Sequence, residues 1–196
     1  MVRILLTGFE PFGKSVTNVS WEVAADLRQQ QLPKIELRTA LLPASFNRVR
    51  TLLPALIEEH RPDVLLMLGQ ASKREEITIE RIAVNMMDAS QSDNDGCIPR
   101  EERIIEDGGN AYFTDIPLST VCEEVSRMGI PCKISNTAGL YVCNTAFYTA
   151  LHYAHEQERE LKVGFVHLPS KGLELELMVK GVKKIIQTIV IDEENR

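Results

Sequence analysis

Val64-Leu-Leu-Met-Leu68 is an unbroken apolar run, entered from Arg61-Pro-Asp63 and left through Gly69-Gln70. It is far short of the roughly 20 apolar residues that span a bilayer, and turn-forming residues bound it. It reads as a strand buried on both faces, the kind found in parallel sheets covered by helices on either side. The flanking sequence agrees. Val2–Leu6, Ile35–Leu41 and Lys162–His167 are further strand-like runs, with a shorter one at Lys133–Ser135. Between them, apolar residues recur every three or four positions, the mark of helices packed by one face. Trp21, Ala24, Ala25 and Leu27 do so within 19–30; Phe46, Val49, Leu52, Leu53, Leu56 and Ile57 follow Pro43-Ala-Ser45; Ala146, Phe147, Ala150, Leu151 and Ala154 follow Cys143. Pro54 predicts a kink in the second of these. Further helices are expected over 118–128, stopped by Gly129, and from 173 to about 191. Alternation of this kind predicts a three-layer α/β/α sandwich with a mostly parallel central sheet. No linker divides the chain, so residues 1–196 read as a single domain.

Two stretches are harder to place. Ile77-Thr-Ile-Glu-Arg-Ile-Ala-Val-Asn85 alternates and is rich in β-branched residues, which predicts one strand with Glu80 on the same face as Ile82 and Val84. Residues 86–110 hold four aspartates, three glycines and few apolar residues. A loop of that length is functional or mobile in many compact domains, so a lid, an inter-subunit arm and a plain surface loop all fit.

Composition bounds the function. The chain of 196 residues is 44% hydrophobic and 26% charged, with a net charge of −6, and its isoelectric point is near 5.3. These values describe an ordinary globular protein and disfavour nucleic acid or an anionic membrane as partner. The first residues enter a strand with no apolar signal region, so a cytoplasmic location is expected. Cys97, Cys122, Cys132 and Cys143 show no C-x-x-C spacing and no histidine at zinc-ligand distance, which argues against a metal; a reducing compartment argues against disulfides. Cys122 and Cys132 read as structural, and Cys97 lies in a polar loop. Asp93-Asn-Asp-Gly96 lacks the twelve-residue calcium pattern and reads as a turn. Neither dinucleotide nor Walker glycine spacing is present, and no cofactor is expected.

The chemistry centres on Cys143. It stands where Thr137-Ala-Gly-Leu-Tyr-Val-Cys-Asn144 passes into a helix, so the helix dipole and the unpaired N–H groups of the first turn favour a thiolate and offer an oxyanion site. A small apolar residue at a helix start is the plainer reading. A nucleophilic thiol needs a base. His60 ends a helix, and His152 and His155 read as solvated helix residues. His167 closes the run Val163-Gly-Phe-Val-His-Leu-Pro169, at the strand end where α/β folds form their crevices. Glu80 is the candidate to orient it, unless it faces water beside Arg81 or Arg74. Phe9 and Phe12, in a short loop after the first strand, can hold a flat uncharged ring between them, or one of them can anchor the loop.

These residues also carry a resemblance. Ile4-Leu-Leu-Thr-Gly-Phe-Glu-Pro-Phe-Gly13, Asn18-Val-Ser-Trp21, Gly69-Gln70, Glu80-Arg-Ile-Ala-Val-Asn85, Thr137–Asn144 and Gly164-Phe-Val-His-Leu-Pro169 occur in order and at matching intervals. Together they resemble the pyroglutamyl peptidase I family of cysteine exopeptidases. The resemblance implies an α/β/α fold akin to the nucleoside phosphorylases and removal of N-terminal pyroglutamate from peptides. It implies Cys143, His167 and Glu80 as catalytic residues, with Phe9, Phe12, Asn18, Gln70, Tyr141 and Val142 at the substrate. It also implies a homo-oligomer, commonly a tetramer. Ser90 departs from the bacterial pattern, which carries Arg there; Arg100 or Arg103, in the same loop, could reach back and substitute, though nothing in the spacing requires it. Two other readings remain open: a phosphorylase-like transferase, and a catalytically silent binder of pyroglutamyl peptides.

Overall fold

The computed structural model describes residues 1–157 and 160–194. Its strands are β1 (Val2–Phe9), β2 (Ile35–Leu42), β3 (Val64–Ala71), β4 (Ile77–Glu80), β5 (Ile82–Val84), β6 (Ala111–Phe113), β7 (Cys132–Ser135) and β8 (Lys162–Pro169). Six of them form one sheet in the order β2-β1-β3-β8-β4-β7. β2, β1, β3 and β8 run parallel. β4 runs antiparallel to β8, pairing Thr78 with His167, and β7 follows β4 in parallel. The expected three-layer, mostly parallel architecture is borne out.

Helices cover both faces because β1, β3 and β8 are apolar on both sides. On one face Ile4, Leu6, Leu66, Leu68, Val166 and Leu168 pack against Leu27 of α1 (Val19–Arg28), Val125 of α3 (Leu118–Ser126) and Val182 and Ile186 of α5 (Leu175–Glu194). On the other, Leu5, Leu65, Met67, Val163 and Phe165 pack against Phe46 and Leu53 of α2 (Phe46–His60) and Phe147 and Tyr148 of α4 (Val142–Glu156). Each such side chain contributes about 1.5–3 kcal/mol by leaving water. α2 runs through Pro54 and turns Phe46, Val49, Leu53 and Ile57 fully inward; Leu52 and Leu56 are only partly covered. Asn18 caps α1 by accepting from Ser20 N, and Ser45 caps α2 by accepting from Arg48 N.

The stretch 77–85 is not one strand. It breaks at Arg81, whose N–H donates to Ser135 O while its carbonyl accepts from Thr114 N. β4 stays in the main sheet; β5 leaves it to pair with β6. Asn144, in the first turn of α4, fixes the departure. Its side chain accepts from Val84 N at 3.0 Å and donates to Val84 O and Met86 O at 2.9 and 3.0 Å. Glu80 therefore shares no face with Ile82 and Val84.

Residues 86–110 are anchored to the body. Asn85 Oδ1 accepts from Ile104 N and Ile105 N, and Met87 bridges to Glu102. Asp93 is buried and accepts from Phe46 N, Asp95 N and Cys97 N, closing the turn expected at 93–96 onto the start of α2.

Asn144 ties α4 to β5, and Ala there leaves three backbone groups without their partner. Asn144→Ala is expected to cost about 2–3 kcal/mol, read as a lower urea midpoint at unchanged slope.

Candidate active site

At the carboxyl ends of β1, β3 and β8 lies a cavity of about 280 Å³. Every residue named from the sequence as catalytic or substrate-binding lines it except Glu80, which sits behind His167. The wall is completed by Ala44, by Ala71 at the end of β3, by Ser72, Lys73 and Arg74 of the turn that follows, and by Gln91 and Ala138.

His167 is buried near the end of β8, and its ring packs 4.8 Å from that of Phe165. Its Nδ1 lies 2.7 Å from Oε1 of Glu80, which has no exposure to solvent. An ionised carboxylate only accepts, so Nδ1 carries the proton and Nε2 keeps its lone pair. Arg74 donates to the same oxygen of Glu80. Burial works against charge on Glu80, but the bond and charge of His167, the Ser135 hydroxyl and Arg74 together hold its carboxyl below the usual range. The water-facing alternative for Glu80 is excluded.

Cys143 is the second residue of α4, and Tyr141, at the cap position, makes no side-chain capping bond. The first-turn N–H groups are therefore not covered by a cap. A glycine makes room for the sulfur. Were Gly69 to carry a Cβ, that atom would stand 3.1 Å from Cys143 Sγ and 2.8 Å from the Phe165 ring. Gly69 is the ladder partner of His167, and partners on adjacent parallel strands lie about 4.8 Å apart. Thiol and imidazole thus occupy neighbouring positions on the same face of the sheet.

The thiolate expected from the helix start is not favoured in the free protein. Burial, then the Glu80 carboxylate, push the Cys143 thiol up to about 12, outweighing Arg74 and the helix N–H. Burial likewise pushes the His167 imidazole down, and Arg74 adds to this against the pull of Glu80. The resting pair is a neutral thiol and a neutral imidazole.

Around them, Phe9 ends β1 as a buried residue 6.4 Å from the Phe165 ring, so it anchors the loop as well as lining the cavity. Phe12 is half-buried, 6.1 Å from the ring of Tyr141. Tyr141 stands edge-on to Phe46 and donates to Ser92 O. Asn18 accepts from Ser20 and donates to Glu10 O, so it shapes the 10–18 loop from within. Gln70 Oε1 accepts from Val19 N.

The other histidines lie elsewhere. His60 ends α2 and His155 is exposed. His152 is not solvated as read: it is half-buried, stacks on Tyr148 and bonds Tyr112 at 3.1 Å. Ser90 is exposed, and its neighbour Gln91 faces the cavity instead. Neither Arg100, near Asp88, nor Arg103, bonded to Gly108 O, reaches it. The cations at the cavity are Lys73 and Arg74. Among the described residues, no group of three or more metal-ligating side chains comes together.

A thiol at an uncapped helix start, beside an imidazole oriented by a buried carboxylate, is a set suited to thiol-dependent acyl transfer. The family model for pyroglutamyl peptidase matches residues 2–190. A pyrrolidone-carboxylate peptidase of Thermococcus onnurineus is 41% identical, with 95% of this chain and 98% of the relative covered. One from Brevibacillus brevis is 38% identical over 97% of this chain and 94% of its own. The crystal structure of pyroglutamyl peptidase I from Bacillus amyloliquefaciens superposes with a TM-score of 0.94 at 32% identity, covering 97% of this chain and 98% of that one. The pyrrolidone carboxyl peptidase of Thermococcus litoralis gives 0.95 at 32%, covering 100% and 97%. The chain belongs to the pyroglutamyl peptidase family.

Two outcomes test the geometry. Gly69→Ala drives a methyl group into the buried Phe165 ring and is expected to destabilise by about 1–3 kcal/mol in thermal melts. Alkylation of Cys143, followed on its own peptide by mass spectrometry, should still be climbing past pH 9.0, the ordinary thiol value. A plateau below neutrality would mean a resting thiolate–imidazolium pair.

Proposed function

We propose that this chain is a cysteine exopeptidase that removes N-terminal pyroglutamate from peptides, with Cys143 as nucleophile, His167 as base and acid, and Glu80 as the group that orients His167. The observation that carries the assignment of roles is the Glu80–His167 bond at 2.7 Å, which leaves Nε2 as the basic nitrogen beside the cavity that Cys143 lines. Family membership supports the reaction.

The steps follow from the neutral resting pair. Cys143 Sγ attacks the pyroglutamyl carbonyl carbon as its proton passes to His167 Nε2, and Glu80 balances the imidazolium that forms. The tetrahedral oxyanion takes N–H donors from the first turn of α4. Its collapse breaks the C–N bond, and His167 returns the proton to the leaving amine. Water, activated by His167, then cleaves the thioester and releases 5-oxoproline.

Phe9 and Phe12, with Tyr141 and Val142, supply apolar walls for a flat lactam, while Asn18 and Gln70 hold the loops that form them. Charge adds selectivity. An ordinary N-terminus brings an ammonium into a cavity whose charged wall residues are Lys73 and Arg74, whereas the lactam nitrogen is neutral. Desolvating an unpaired ammonium is expensive.

The same reading includes a single domain, a homotetramer and a cytoplasmic location, supported by the family resemblance and the acidic, globular composition. Among the described residues, no helix is long and apolar enough to cross a membrane.

Release of a chromophore from a pyroglutamyl anilide, with a prolyl anilide as control, tests the function. Cys143→Ala should be inactive and His167→Ala nearly so. Glu80→Gln should keep part of the rate, because it loses orientation and not proton transfer. Cys122→Ala and Cys132→Ala should remain active. kcat/KM should rise as His167 loses its proton, with half-maximum below pH 6.5 because burial lowers the imidazole from that value. Loss of activity in His152→Ala or His155→Ala in place of His167→Ala would assign the base elsewhere.

A further inference from the structure

The turn after β3 carries a side chain whose bonds reach three separate pieces of the chain. Arg74 Nη1 donates to Thr78 Oγ1 and Glu80 Oε1 on β4. Its Nη2 donates to Ser135 Oγ at the end of β7, 3.3 Å away, and to the Thr137 carbonyl at 2.9 Å. Thr137 opens the turn that delivers Cys143 to α4. Glu80 Oε1 is also the oxygen bonded to His167, while Oε2 is buried with no hydrogen-bond partner among the described residues. The Ser135 hydroxyl beside the carboxylate donates to Thr137 O. Among the described residues, the hydrogen bonds of Arg74 and His167 to Glu80 therefore fall on one shared oxygen.

We infer that Arg74 is a positioning residue of this site, whose single guanidinium plane locks Glu80, and through it His167, to the turn that presents Cys143. The inference rests on the roles proposed above for those three residues.

Only a planar fork reaches the carboxylate on one side and the Thr137 carbonyl on the other; a lysine ammonium on its stem offers one charge at one point. The charge has its own effect. Without Arg74, the buried Glu80 carboxylate is balanced only by taking a proton onto His167, which removes the base. The charged and titratable groups that face the imidazole are Glu80 from β4, Cys143 from α4, and Arg74 from the turn after β3, with the exposed Lys73 at the rim. Arg74 is the cation bonded to the carboxylate.

The test compares the parent protein with Arg74→Gln and Arg74→Lys by steady-state kinetics across pH and by NMR titration of the His167 imidazole. In Arg74→Gln the imidazole midpoint should move up by about one unit, as expected for loss of a charge at close range. The acid limb of kcat/KM should move with it, and kcat should fall roughly tenfold or more. Arg74→Lys should keep the midpoint near the parent's, because the charge remains, yet keep the reduced kcat, because the reach to Thr137 is lost. A purely structural role lowers the melting temperature and leaves both midpoints in place; that result, or an unchanged kcat in both variants, overturns the inference. A parent protein inactive on pyroglutamyl anilide would overturn the proposed function, while the imidazole titration would still decide whether Arg74 governs His167.

Discussion

The bond between the buried Glu80 carboxylate and His167 Nδ1 is the constraint on which the site depends. A carboxylate with no exposure is tolerated only where its charge is paired and bonded, and the fold provides for this at the β8–β4 junction, where strand direction reverses within the six-stranded sheet. β8 brings His167 from one side and antiparallel β4 brings Glu80 from the other, with Thr78 directly opposite the histidine. Arg74 closes the third side. Neighbouring features then acquire a reason. Gly69 lacks a side chain because Cys143 Sγ and the Phe165 ring fill that space. β5 leaves the sheet just beyond Glu80, drawn away by Asn144, the residue after the cysteine.

The electrostatic result differs from a simple helix-dipole argument. A helix start contributes roughly a kilocalorie or less in most settings, whereas burial beside a carboxylate acts on the thiolate with greater force. The sum leaves Cys143 protonated and His167 neutral. A bound substrate changes the balance by offering a carbonyl whose developing charge the uncapped turn of α4 can take up.

Much of the fold was legible because β1, β3 and β8 are buried on both faces and leave unbroken apolar runs. The candidate site was legible where residue type at a strand end or helix start singled out His167 and Cys143, which the fold brings to one cavity. The break at Arg81 was not, because alternation continues across it; the departure is fixed by Ser135 and Asn144, both more than fifty residues away in sequence. β6 is three residues long and carries no periodicity. Arg74 was visible only as one possible partner of Glu80. Its bonds to Ser135 and Thr137 depend on tertiary closeness alone. The thiol's protonation state belongs to the same class, since burial is a property of the assembled core.

In the proposed reaction a single thiol, Cys143, carries the acyl group. Mass spectrometry of acid-quenched reactions with a pyroglutamyl ester reads this directly. The added mass of one pyroglutamyl group is expected on the peptide containing Cys143 and on none containing Cys97, Cys122 or Cys132. The pyroglutamyl group on any other residue, with Cys143 unmodified during turnover, would contradict it.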